Sequence, residues 1–331
     1  MGAALALAER GRGRTTPNPN VGCVIVADGV AVGRGWTQAG GRPHAEAMAL
    51  AEAGERSRGA TAYVTLEPCA HLSPRGPACS DLLITAGVAR VVVALQDPDP
   101  RTNGEGIARL AAADIATRVG VRAAEAARSM AGFLTRRRLG RPLVTLKLAL
   151  SLDGAAAMAD GRSMWITGPE ARAHAHLERS RHETILVGRG TWETDSPTLD
   201  VRLAGLENRS PVRVVLSGRP DPSASLREGA RQAQRGEKDE RDRPLLVASP
   251  QAIATLPGDH LLIEGGAQTA AAFLAADLVD RLLLYRAPVI VGGGRTLPDI
   301  GLADLSDAHG RWRLVDARAL GVDRVEVYER A

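Results

Sequence analysis

Pro43-His44-Ala45-Glu46, followed by Thr65-Leu66-Glu67-Pro68-Cys69 and then by Gly76-Pro77-Ala78-Cys79, is the part of this 331-residue chain whose reading decides the rest. A zinc ion that activates water needs three protein ligands and one open position, and thiolate sulfur and imidazole nitrogen are the usual donors. His44, Cys69 and Cys79 make up such a set. His44 and Glu46 straddle the start of a helix expected over 45–53, so the imidazole can reach a metal while the Glu46 carboxylate lies over the water, free to shuttle a proton. Cys69 follows a strand expected at 60–65 and Cys79 precedes a helix expected at 81–86, which puts both thiolates near helix N-termini, where the dipole favours negative charge.

His-x-Glu followed by Pro-Cys-x-x-Cys is the pattern of zinc nucleobase deaminases, with the glutamate as general acid and base. The two cysteines here are ten positions apart, so the match to that short form is partial. Each piece alone has an ordinary explanation: His-x-Glu is a common triplet, and isolated buried cysteines are usually packing. Together, the chain order, Pro68 before the first cysteine and the strand-to-helix placement agree on a metal. Cys23, inside the apolar run 21–26, reads as a core residue, and His71, between the two cysteine ligands, reads either as a substrate contact or as a surface histidine.

Outward from this stretch, strand-like and helix-like segments alternate, which argues for α/β layers. Strands are expected at 22–27 and 31–36 around an Asp28-Gly29 hairpin turn, then at 60–65 and 91–95, with further helices at 105–113 and 122–137. Leu139-Gly140-Arg141-Pro142 stops the last helix and divides the chain into domains 1–140 and 141–331. The second half carries strands expected at 144–150, 184–187, 212–216, 245–248, 261–263, 281–285 and 325–328 and a helix at 267–276, again an α/β pattern. Residues 227–243 are dense in opposite charges and read as a surface helix or loop without chemistry.

Hydrophobic residues make up 44% of the chain, enough for two cores. No stretch approaches the roughly 18 apolar residues of a membrane span, so a cytoplasmic protein without a membrane partner is expected. The net charge is +4, yet only Lys147 and Lys238 are lysines. Basic residues are scattered among acids and aromatics are 3% of the chain, which leaves neither a basic stripe nor stacking platforms for nucleic acid. Arg136-Arg137-Arg138, followed by Arg141, reads either as a phosphate-binding patch or as a solvated helix end. Lys147 stands in an apolar strand of a chain that otherwise uses arginine, which points to a need for a compact, titratable ammonium; the alternative is a lysine snorkelling from a strand edge. Asp153 either orients a substrate or caps a turn.

The chain resembles the bifunctional riboflavin-biosynthesis family that joins a pyrimidine deaminase to a pyrimidine reductase. The resemblance spans almost its whole length, through Pro17-Asn18-Pro19-Asn20-Val21-Gly22, Pro43-His44-Ala45-Glu46, Thr65-Leu66-Glu67-Pro68-Cys69-Ala70-His71 and Gly76-Pro77-Ala78-Cys79, then Leu146-Lys147-Leu148-Ala149-Leu150-Ser151-Leu152-Asp153-Gly154, Trp165-Ile166-Thr167-Gly168, Asp200-Val201-Arg202 and Glu264-Gly265-Gly266. It implies a cytidine-deaminase-like α/β/α domain followed by a dihydrofolate-reductase-like α/β domain, in keeping with the lack of a Gly-x-Gly-x-x-Gly turn after a first strand. It also implies zinc-dependent deamination of 2,5-diamino-6-(5-phosphoribosylamino)pyrimidin-4-one, followed by NADPH-dependent reduction of the ribosyl to a ribityl chain. By family correspondence, Asn20 and His71 face the first substrate and Lys147 is catalytic in the reductase. Ala149, Trp165, Thr191, Asp195, Gly266, Ala267, Gln268, Thr269, Ala270, Ala271 and Ala272 would line the NADPH site. Ser163, Arg179, Leu199, Arg202 and Glu264 would hold the second substrate, with the two arginines suited to a phosphate. The family further implies a homo-oligomer associated through the reductase domain.

The chain departs from the family pattern in a loop between Cys69 and Cys79 that is one residue longer, in Ala155-Ala156 after Asp153-Gly154, in Gly218, and in an opening helix expected to lack its first turn. Two other readings compete: a zinc deaminase of another nucleobase with a C-terminal half that only binds, and a noncatalytic zinc-stabilised interaction module. The second needs a fourth protein ligand, for which the spacing offers no candidate.

Overall fold

Strand β1 (Gly22–Ala27) turns at Asp28-Gly29 into β2 (Val30–Trp36), the antiparallel hairpin that a two-residue turn between apolar runs produces. This hairpin belongs to the first of two units, Met1–Gly140 and Arg141–Ala331, in a computed structural model that describes residues 1–71, 73–218 and 243–331.

In the first unit, β3 (Thr61–Val64), β4 (Arg90–Val93) and β5 (Ala116–Val119) complete a sheet of order β2-β1-β3-β4-β5. β1 is antiparallel to both neighbours, whereas β3, β4 and β5 are parallel. Parallel pairs require crossovers. These run through α3 (Cys79–Thr85) and α4 (Glu105–Ala112); α1 (Gly2–Ala8), α2 (Ala45–Ala53), α5 (Ala123–Ser129) and α6 (Ala131–Leu139) are the other α-helices among the described residues of this unit. Ile25, Val64, Leu83, Val91, Leu110 and Met130 are buried together, and Cys23 lies in this core as its sequence context predicts. α2 lies hard against β2 because Gly33 and Gly35 leave room for it: a Cβ at either would stand 2.1 Å from a carbonyl oxygen of α2, that of Ala49 or Ala45. That close approach fixes where the N-terminus of α2, and with it His44 and Glu46, points.

The second unit has the sheet order β12-β13-β11-β6-β10-β7-β8-β9. Its strands are β6 (Leu143–Leu150), β7 (Thr184–Gly188), β8 (Val212–Leu216), β9 (Leu245–Val247), β10 (His260–Ile263), β11 (Arg281–Arg286), β12 (Trp312–Leu320) and β13 (Asp323–Arg330). From β11 to β9 all pairs are parallel, and β13 and β12 are added antiparallel at one edge. Helices α7 (Pro169–Arg179), α8 (Arg189–Asp195) and α9 (Ala267–Ala275) connect them. No helix among the described residues is long and apolar enough to cross a membrane.

Four elements went unread in the sequence, and the helix expected at 122–137 is two helices meeting at Met130, whose φ of −102° and ψ of 19° are not helical. β5 and β12 lie at sheet edges and are largely exposed, so they carry no apolar alternation to read. α7 buries Ala171 and Ala175, and α8 buries none of its residues, so neither presents a stripe of large apolar side chains. The charged segment 227–243 lies outside the described residues except for Arg243.

Candidate functional site

β3 hands the chain to Thr65-Leu66-Glu67-Pro68, which carries Cys69 toward the N-terminus of α3, where Cys79 is the first helical residue; His44 is the N-cap of α2. His44 Nδ1 lies 3.3 Å from Cys79 Sγ and 3.6 Å from Cys69 Sγ, and the Cys79 N–H donates to Cys69 Sγ over 3.3 Å. The three donor atoms fall within 4.8 Å of one another, and no other such group of histidine, cysteine and acidic residues occurs among the described residues. Donors sharing one tetrahedral zinc ion stand about 3.5 Å apart, given bond lengths near 2.0 Å to nitrogen and 2.3 Å to sulfur. The donor set therefore fits zinc in both chemistry and spacing. The hydrogen bond with Cys79 holds the Cys69 thiol down at about 4 against the effect of burial. Cys79, giving that bond and also buried, is pushed well up. Glu46, 3% exposed, hydrogen-bonds with Cys79, and burial raises its carboxyl to about 7.

His44, Glu46 and Cys69 line a pocket that is partly open to solvent. His71 also lines it, with Nδ1 3.4 Å from Thr102 Oγ1. Asn20 does not. It is 3% exposed and its amide donates to the Ala8 and Ser129 carbonyl oxygens over 3.4 and 3.2 Å, tying α1 to the end of α5. The asparagine on the pocket wall is Asn18, whose Nδ2 donates to Gly41 O over 2.8 Å and lies 2.8 Å from His44 Nε2. The two asparagines stand two positions apart, each directly after a proline, so local sequence does not tell them apart.

Sequence reasoning also gave Glu67 no role, although it precedes Pro68 and Cys69 directly. Its buried carboxylate accepts from the backbone N–H groups of Asp97, Gly104, Gly106 and Ile107 at 3.0 to 3.2 Å. It thereby caps α4 and clasps the loop 97–104 to the strand end that carries Cys69. Gly106 makes the clasp possible, since a Cβ there would lie 2.0 Å from Pro68 O. The signal was available: Gly104-Glu105-Gly106 opens a helix with no side chain of its own to cap it.

In the second unit Glu264 and Gly266 follow the carboxyl end of β10, one of the central parallel strands, where open α/β sheets bind ligands. Lys147 on β6 places Nζ 3.9 Å from Oε2 of Glu264, which follows β10 directly. Glu264, its side chain 7% exposed, is gripped by Arg179 of α7 through Nε at 2.7 Å and Nη2 at 2.9 Å. Burial works against this carboxylate, but Arg179 and Lys147 hold it below its ordinary range. Arg179 also donates to Asp200 O over 2.9 Å, so its guanidinium is committed inside the protein instead of standing free for a phosphate. Arg202, its side chain 60% exposed, stays accessible beside His176, a residue not singled out in the sequence, whose imidazole burial and the two arginines hold below its usual pKa. Leu199 is 3% exposed and packs with Ile185 and Val215, so its side chain belongs to the core.

Gly266 is the N-cap of α9, and a Cβ built there meets nothing nearer than Thr191 Oγ1 at 3.7 Å. The helix end is open enough for an anion to reach the backbone N–H groups of its first turn, Ala267, Gln268 and Thr269, which fits a cofactor phosphate. Ala270 and Ala271 point into the core, at 0% and 6% exposure, and cannot line the site with side chains; Ala272 is half-buried one turn further on. Ala149 is half-buried on β6, Asp195 is exposed at the end of α8, Ser163 is exposed, and Trp165 is 65% exposed beneath the Arg172 guanidinium. Asp153 takes the turn role: it accepts from Ser151 Oγ and from the N–H groups of Val291 and Gly292, which hold its carboxyl down at about 2.

Residues 142–325 match the family described as RibD C-terminal domain, and residues 1–95 match the cytidine and deoxycytidylate deaminase zinc-binding region. The riboflavin biosynthesis protein RibD of Escherichia coli is 41% identical, over 98% of this chain and 96% of that protein. The protein of the same name from Aquifex aeolicus is 38% identical, over 100% of this chain and 97% of its own length. Among solved structures, Acinetobacter baumannii RibD superimposes with a TM-score of 0.85 at 36% identity, covering 100% of this chain and 97% of that one. A diaminohydroxyphosphoribosylaminopyrimidine deaminase/5-amino-6-(5-phosphoribosylamino)uracil reductase from Thermotoga maritima gives a TM-score of 0.85 at 31% identity with the same coverage.

Proposed function

This chain belongs to the RibD family of bifunctional deaminase–reductases of riboflavin biosynthesis, with zinc and NADPH as cofactors, and on that premise we propose which residues carry each activity. In the unit 1–140, His44, Cys69 and Cys79 hold the zinc, which supplies a Lewis acid for the activation of water. Glu46 takes one proton from the water and passes it to the pyrimidine ring nitrogen, then passes the remaining proton of the added hydroxyl to the amino group, which departs as ammonia; a carboxyl near 7 is suited to give and take a proton at neutral pH. Asn18 and His71 orient the ring from the pocket wall. The substrate is 2,5-diamino-6-(5-phosphoribosylamino)pyrimidin-4-one, the compound class named for the Thermotoga maritima relative. The convergence of three metal donors on a pocket with a buried glutamate carries this reading.

In the unit 141–331, the first-turn amides of α9 would hold a phosphate of NADPH, which when bound would supply the hydride. Lys147, fixed by Glu264, stands next to the sugar carbon to be reduced and donates the proton that the product oxygen needs. Arg179 acts through Glu264 as a positioning residue, while Arg202 meets the substrate phosphate. The enzyme works in the cytoplasm as a homo-oligomer associated through this unit. In support of association, the edge strand β12 exposes Leu314 and Val315, at 49% and 40%.

The test follows ammonia release and NADPH oxidation separately, on the diaminopyrimidine ribosyl phosphate, for the wild type, Glu46→Gln and Lys147→Ala. Ammonia release should fall by roughly 10²–10⁴-fold in Glu46→Gln, the size of a general acid–base contribution. Lys147→Ala should still release ammonia but not oxidise NADPH. A Glu46→Gln enzyme that deaminates normally overturns the first assignment.

A further inference from the structure

The wall of the deaminase pocket also carries a group that the reaction described above does not use. Asp99, its side chain 6% exposed, binds two arginines at once. Arg101 approaches in a fork, Nε to Oδ1 at 3.0 Å and Nη2 to Oδ2 at 2.7 Å, and adds its own backbone N–H at 3.0 Å. Arg137, from α6, places Nη2 3.2 Å from the same Oδ2, with its guanidinium 5.2 Å from the centroid of the Phe133 ring. All four residues line the pocket together with His44, Glu46 and Cys69. The arginine side chains are 60% and 40% exposed, whereas Asp99 and its neighbour Asp97 are almost wholly covered, so the surface offered to a ligand is cationic.

Two guanidinium groups locked in place by one buried carboxylate have already lost most of the rotamer freedom that binding an anion would cost them. Each keeps N–H donors that Asp99 does not take, in the planar array that suits phosphate oxygens. Arg75, in the loop between the cysteines, is turned away from this role by its donation to Gly40 O at 2.6 Å, and it does not line the pocket.

We propose that Arg101 and Arg137, held side by side by Asp99, bind the phosphate of the pyrimidine nucleotide entering this pocket, a reading that rests on the deaminase assignment above. The substrate's phosphate thus lies on the loop 97–104 and the end of α6, and Asp99 is the positioning residue for both cations.

The test needs a signal from this pocket alone, because the reductase site takes a similar ligand. Cobalt(II) in place of zinc provides it, through visible absorption that responds to ligands reaching the metal. Cobalt-loaded full-length protein is titrated with 5-amino-6-(5-phosphoribosylamino)uracil and with its dephosphorylated riboside, and the ratio of the two dissociation constants is the readout. The wild type should favour the phosphorylated ligand, and Arg101→Ala and Arg137→Ala should each shrink the ratio roughly 10-fold or more, as expected for a lost charged hydrogen bond, without weakening the riboside. Arg137→Lys should fall between, and Asp99→Asn should shrink the ratio through looser arginines. An unchanged ratio, equal weakening of both ligands, or a wild type indifferent to the phosphate overturns the proposal. Ammonia release by the zinc enzyme decides the deaminase reading separately: its absence with an intact ratio removes that reading alone, and its presence with an unresponsive ratio removes the phosphate site alone.

Discussion

Pro17-Asn18-Pro19-Asn20 shows how far one residue's chemistry depends on its neighbours in space: two asparagines two positions apart go to opposite fates, Asn18 to the pocket wall and Asn20 to a buried tie between α1 and α5. Asp97 is a second such case. It lies in the pocket wall at 7% exposure, next to Asp99 and Glu67, and burial pushes its carboxyl from the ordinary 3.8 up to about 6. A carboxyl raised on folding stabilises the fold in its protonated form. That contribution is fully present below about pH 4 and is lost as the pH rises through about 6. Asn at this position keeps an oxygen for the Asp99 N–H and removes the titration. Stability of Asp97→Asn relative to the wild type should therefore rise by on the order of 2 kcal/mol between about pH 4 and pH 7.5, read from urea unfolding of both proteins. A difference that stays flat across that window would mean that Asp97 titrates as an ordinary aspartate.

At the scale of elements, the candidate metal ligands were legible because each sits at a junction that local sequence announces: a strand ending in Glu67-Pro68, a helix opening at Cys79, and a helix opening behind His44. What local sequence does not announce is how these junctions are held together. α4 contributes no metal ligand, yet its capped N-terminus braces the Cys69 segment through Glu67. Gly106→Ala, normally a favourable change inside a helix, should here destabilise the protein by roughly 1–3 kcal/mol, the usual cost of overpacking, since the new methyl would meet Pro68 O. Because Pro68 adjoins Cys69, the same variant should hold zinc more weakly, as measured by competition with a chromogenic chelator. Unchanged stability and zinc affinity would show that the loop yields without disturbing the cysteine. β5, β12, α7 and α8 were invisible for the converse reason: edge strands and alanine-faced or exposed helices carry little of the apolar periodicity from which elements are read.

For the whole molecule, the chain divides into two units, and the group of candidate metal donors lies entirely in the first. Stripping zinc with a chelator should abolish ammonia release and leave NADPH oxidation intact when the deaminated intermediate is supplied directly. Loss of both activities would show that the metal supports the second unit as well. The sequence alone determined the α/β class of both halves, the break near Gly140 and the candidate donors His44, Cys69 and Cys79, because these depend on periodicity, turn residues and spacing along the chain, and its shared motifs carried the resemblance to the family. Tertiary structure alone decided which asparagine reaches the pocket and that Arg179 is spent on Glu264. It alone decided that Ala270, Ala271 and Leu199 face the core, and that Asp99 gathers arginines from positions 101 and 137. The physical reason is the same in each case: side-chain direction and charge pairing are set by residues distant in sequence, through burial and hydrogen bonding that arise only when the elements pack.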